Sequence, residues 1–121
     1  MQTIYVERKG NSTFIQAMIP FGSYYETAKE KGIAHFIEHL LFKGTPTRTR
    51  KDIDNAIEGK GGDLNAFTDS ELTCYWCNIA NKYKDEAIDV ISDMVSSPLF
   101  PKKEIDNERE VILQELKMYK D

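Results

Sequence analysis

Two histidines and two cysteines are all that the 121 residues offer, and no apolar run is longer than a few residues. Runs that short cannot cross a bilayer, and the N-terminal MQTIYVERKG lacks the apolar centre of a signal peptide. A cytoplasmic location with no membrane partner is expected, and Met1 reads as a start. Positive charge is also scarce: 16 Lys and Arg face 20 Asp and Glu, for a net charge of -4. That balance argues against a nucleic-acid footprint. The one basic stretch, KGTPTRTRK at 43–51, has no interleaved aromatics to stack on bases and reads as a solvated loop.

The cysteines form CYWC at Cys74 and Cys77, a spacing seen in redox motifs and zinc ribbons. Here they fall in ELTCYWCNIA, whose β-branched and aromatic residues spell a strand, and alternation puts them on opposite faces. A ribbon would also need a second pair, which the sequence lacks. Both are expected as buried free thiols. With no long linker, repeat or low-complexity segment, residues 1–121 read as one domain, large enough to bury a core without metal or disulfide.

TIYVER and TFIQAMIPF are strand-like and are joined by KGNS, so an N-terminal hairpin is expected. The period then changes. A helix should run from Ile33 to Lys43, stopping at Gly44 and Pro46. Thr49 with Asp52 three residues on is a capping-box variant that opens a second helix, and GKGG at 59–62 ends it. LNAFT and LTCYWCNIA form a second hairpin around Asp69, Ser70 and Glu71. Asn81 is placed as the cap of a third helix with its core stripe at Tyr83, Ala87, Val90, Ile91 and Met94. Ser96, Ser97 and Pro98 stop that helix, and Pro101 opens a fourth. The order ββααββαα predicts an α+β domain, an antiparallel sheet of two hairpins with helices packed on one face.

The chemistry concentrates in GIAHFIEHLLFKGT. At about 100° per residue, His35 and His39 lie about 40° apart and Glu38 about 60° to the other side of His35, so all three share one face. The other positions are apolar almost all round: Ile33, Ala34, Phe36, Ile37, Leu40, Leu41 and Phe42. Such a helix should be buried, and a buried polar stripe must be satisfied. Pairing Glu38 with a lysine such as Lys43 is the plain alternative. A metal held by two neutral imidazoles satisfies the stripe more completely. The order H-x-x-E-H reverses the H-E-x-x-H zinc signature and is that of the inverzincins. A catalytic zinc takes three protein ligands and leaves one position open. No third histidine exists, and the last helix offers Glu104, Glu108, Glu110 and Glu115 as candidates for the third ligand, of which Glu104 and Glu110 read as solvated. Glu108, Ile112, Glu115 and Tyr119 form one stripe there, which leaves Glu108 or Glu115.

Together GIAHFIEHLLFKGT, GGDLNAFTDSELTCYW and NEREVILQEL make the chain resemble the pitrilysin and insulinase family of zinc peptidases, which includes the mitochondrial processing peptidases. The resemblance covers nearly the whole chain. By the family's spacing it implies zinc (Zn2+) held by His35, His39 and Glu115, with Glu108 as a carboxylate orienting a ligating histidine. It implies Glu38 as the general base of a metalloendopeptidase acting on an extended peptide or unfolded polypeptide. It further implies that substrate adds as a strand along Asn65, Ala66, Phe67 and Thr68. Family enzymes are far longer and have a related second half that closes over the site. A homo-oligomer, simplest as a dimer, or a separate second half is therefore expected as partner. An N-terminal fragment, or a non-catalytic zinc- or peptide-binding module, is the alternative.

Overall fold

In a computed structural model, which describes residues 2–120, three strands form an antiparallel sheet in the order β1-β3-β2. They are β1 (Ser12–Ile19), β2 (Asp63–Thr68) and β3 (Thr73–Ala80). The helices are α1 (Ile33–Leu41), α2 (Arg50–Ile57), α3 (Lys84–Ser96) and α4 (Lys102–Lys120). The class is α+β. Central β3 is covered on both edges, pairing Ile15 with Cys77 on one side and Leu64 with Cys77 on the other.

Alternation decides which side of the sheet becomes core. Ile15, Ala17 and Ile19 of β1, Leu64 and Ala66 of β2, and Tyr75, Cys77 and Ile79 of β3 face the helices. There they meet Ile53 and Ile57 of α2 and Ala87, Val90, Ile91 and Met94 of α3. The two cysteines do lie on opposite faces, both free and buried. Cys77 sits in the core, where burial pushes its thiol up to about 11. Cys74 lies between Met18 and Phe67 on the far face. That far face is otherwise open, with Phe14, Met18 and Phe67 exposed.

Two expectations are corrected. TIYVER makes no strand, so the observed order is βααββαα; Ile4, Tyr5 and Val6 are exposed and without regular structure. Strand propensity there has no face to bury, since three apolar residues in a row do not alternate and α3 already covers the sheet at β1. Asn81 does not cap α3. It lies in a short 3-10 turn, donates from Nδ2 to Gly10 O at 2.9 Å and accepts from Thr13 Oγ1 at 2.7 Å, which ties the start of β1 to the end of β3.

Other local signals act as read. Thr49 and Asp52 form a complete capping box, Thr49 Oγ1 accepting from Asp52 N and Asp52 Oδ2 from Thr49 N. Asp69 Oδ1 accepts from Glu71 N and Leu72 N at 2.8 Å and closes the β2–β3 turn. Gly22 is required by close approach: a Cβ there would lie 2.4 Å from Asp69 O. The segment 22–25 is thereby fastened to that turn through Ser23 N and Tyr24 N. Among the described residues, no helix is long and apolar enough to cross a membrane.

Candidate metal centre

Helix α1 has no exposed residue. It lies over β2 and packs against α4, as its nearly all-apolar sequence requires. Its entry is fixed from outside the helix. Gly32, at φ 89°, has no side chain to cap with. Glu26 does it instead, accepting from Gly32 N at 2.9 Å and Ala34 N at 3.0 Å. A carboxylate on those free donors also suits the positive end of the helix. Sequence reasoning missed it because the cap lies six residues before the glycine.

His35 and His39 stand one turn apart with their rings edge to face, centroids 4.7 Å apart. Their Nε2 atoms are 3.0 Å apart. Glu115 comes from α4, its Oε2 3.5 Å from His35 Nε2 and 4.0 Å from His39 Nε2. One ligand atom from each of the three residues therefore falls within 4.8 Å of the others. Glu108, two turns earlier on α4, points to the back of the site: His39 Nδ1 donates to its Oε2 at 2.9 Å. A carboxylate only accepts, so Nδ1 carries a proton, and Nε2 on the far side of the ring faces His35 and Glu115.

The stripe read from the sequence grades from closed to open along α4. Glu108 and Ile112 are buried, Glu115 is half-buried and Tyr119 is exposed. Glu108 Oε1 also accepts from Lys43 Nζ at 2.6 Å. Lys43 thus serves Glu108 and not Glu38, the partner considered for it from sequence. Burial pushes the Glu108 carboxyl up, but the hydrogen bonds from Lys43 and His39 outweigh it and hold it below the ordinary value.

Glu38 faces the sheet. Thr68 Oγ1, at the end of β2, donates to Glu38 Oε2. The family resemblance grouped Thr68 with Asn65, Ala66 and Phe67, but strand alternation separates them. Ala66 and Thr68 lie on the helix side, while Asn65 and Phe67 are exposed on the other. Asn65 Oδ1 is occupied by Ala66 N at 2.8 Å. Buried Tyr75 lacks a partner for its hydroxyl among the described residues, and burial, then the Glu38 charge, push its pKa up.

In front of His35 an open groove runs between Thr68 and Asp69 on one wall and Tyr119 on the other. Two imidazole nitrogens, one carboxylate oxygen and an unobstructed approach are the donor set of a three-coordinate zinc site with a free position. The family profile described as insulinase, peptidase family M16, matches residues 3–121.

The chain belongs to the insulinase family. It is 39% identical over 110 residues to the uncharacterized zinc protease YmxG of Bacillus subtilis, covering 91% of this chain and 27% of that protein. It is also 39% identical over 107 residues to the mitochondrial-processing peptidase subunit beta of Caenorhabditis elegans, covering 88% and 23%. Among solved structures, a protease from Helicobacter pylori superposes with a TM-score of 0.84 at 27% identity, covering 88% of this chain and 26% of that one. The chain thus spans about a quarter of the length of these family relatives.

Proposed function

We propose that the chain carries the zinc-binding and proton-transferring groups of a metallopeptidase that hydrolyses peptide bonds in extended polypeptides. The observation that supports it most is the convergence of His35, His39 and Glu115 within 4.8 Å, beside an open groove and next to a carboxylate that ligates nothing. When bound, zinc supplies Lewis acidity that polarises a peptide carbonyl and makes water acidic near neutral pH.

The remaining work falls to the protein. Glu108 keeps the His39 proton on Nδ1 and the ring turned to the centre. Glu38 is the general base, taking a proton from the attacking water and returning it to the leaving amine. Thr68 Oγ1 fixes one Glu38 oxygen and leaves the other for that proton. Among the described residues β2 pairs with β3 alone, so its outer edge can take an extended substrate as an added strand near Asn65 to Thr68 once Ala66 N is released from Asn65 Oδ1. The groove from Thr68 to Tyr119 then leads the peptide past His35.

A closing partner belongs to this reading, either a second half or a second copy of this chain, because one open face positions a peptide poorly. The reading also keeps the cytoplasmic location expected from the sequence. A second reading is a module that binds zinc or peptide without turnover. A quenched-peptide assay decides between them: zinc-dependent hydrolysis lost in Glu38→Gln supports the peptidase, and zinc binding with no hydrolysis at any concentration supports the module.

A further inference from the structure

Lys43 lies one turn beyond His39, just past the end of α1. Both residues reach the same Glu108 carboxylate, one at each oxygen: Lys43 Nζ lies 2.6 Å from Oε1 and His39 Nδ1 lies 2.9 Å from Oε2. The Lys43 and Glu108 side chains are only 11% and 9% exposed. Glu104 also lies near Lys43, at 3.9 Å. A buried ammonium on a long flexible stem loses rotamer freedom and hydration, so this placement needs a return, and a solvated lysine on the surface would avoid both costs.

We propose that Lys43 is a positioning residue for the metal centre, acting through Glu108 to hold the His39 ring; this rests on the zinc reading given above. The division of oxygens carries the argument. With Oε1 fixed on Lys43, the carboxylate cannot rotate, and Oε2 stays on the line of the His39 Nδ1–H bond. The far nitrogen of the same ring then points at the site shared with His35 and Glu115. Lys43 and His39 move as one, since both belong to α1 or its immediate end, while Glu108 belongs to α4. The ion pair therefore also fixes the spacing between the helix that supplies two ligands and the helix that supplies the third. Among the described residues Lys43 makes no hydrogen bond or ion pair with any of the three ligand residues, and its charge alone would repel a cation. Weaker binding on its removal is thus the signature of positioning, and tighter binding the signature of charge.

The test is zinc affinity of the whole chain, read by competition with a chromophoric chelator, together with the visible absorption of the cobalt-substituted protein. Lys43→Met keeps the stem and loses the donor. It should bind zinc about tenfold more weakly, at the low end of the range for groups that orient a metal ligand, with an altered cobalt band. Lys43→Arg should restore both. Lys103→Met, which removes an exposed lysine of α4, should change neither. Unchanged or tighter zinc binding in Lys43→Met overturns the proposal, as does a failure of Lys43→Arg to rescue it. Absence of zinc binding by the wild-type chain in the same assay removes the zinc reading itself, and this inference with it.

Discussion

Glu38 reaches Thr68 of β2 while Glu108 reaches His39 and Lys43 from α4, and these neighbours give them different tasks. Glu108 is enclosed between Lys43 and His39, so neither of its oxygens is free for a reacting proton. Glu38 has one oxygen taken by Thr68, which lines the groove. Glu38→Gln should therefore lower hydrolysis by about 10²- to 10⁴-fold, the usual worth of a general base, while zinc content stays at the wild-type level. Zinc loss equal to that of Glu115→Gln would contradict this division. Tyr75 poses a separate residue-scale question. Its hydroxyl is buried without a partner among the described residues, and an unsatisfied polar group is a cost that an apolar replacement removes. Tyr75→Phe should leave the melting temperature unchanged or raise it; a fall of several degrees would mean that the hydroxyl does have a partner.

At the scale of the elements, the entry of α1 depends on Glu26. Removing an N-terminal cap costs about 1 kcal/mol, so Glu26→Ala should lower stability by that amount in denaturant titration and loosen the first turn, where His35 sits. A change below a few tenths would mean that Gly32 N and Ala34 N find water equally well. The helices and the β2–β3 hairpin were legible in the sequence because each carries its own periodicity and punctuation. The Thr49–Asp52 box and the Asp69 turn are local, as is the HFIEH face. Partners distant along the chain were not legible. Glu26 reaches forward over Gly32, Thr68 crosses from β2 to α1, and Lys43 chooses Glu108 over Glu38, all decided by packing that spacing alone does not encode. TIYVER failed for the opposite reason: its propensity was real, but strands form against a buried face.

At the scale of the molecule, the loop after α1 is pinned to α3 through Arg48 with Asp89 and Asp93, and through Thr45 Oγ1 donating to Asp93 at 2.6 Å. The Asp93 carboxyl is held below its ordinary value chiefly by the Thr45 hydroxyl; burial opposes this, and Arg48 and Thr47 add to it. A carboxyl with a lowered folded-state pKa contributes stability at neutral pH and loses it as the pH falls through the acid range. Asp93→Asn should therefore be less stable than wild type near neutrality, with the gap narrowing in acid; a gap that widens in acid reverses the sign and the account of this network. Apolar side chains are exposed on the sheet face, at Phe14, Met18 and Phe67, and on α4, at Leu113 and Leu116. Exposed apolar patches favour association. Sedimentation across a concentration series should show a dimer or larger species, with hydrolysis rising as the assembled fraction rises; vigorous turnover by a strict monomer would contradict it. In the proposed centre, two histidines of α1 and one glutamate of α4 hold a single metal ion. Zinc stoichiometry by atomic emission on purified wild type, His39→Ala and Glu115→Gln addresses it directly: one zinc per chain in wild type and near-complete loss in His39→Ala, with marked loss in Glu115→Gln, is the expected result, and full occupancy in His39→Ala would contradict it.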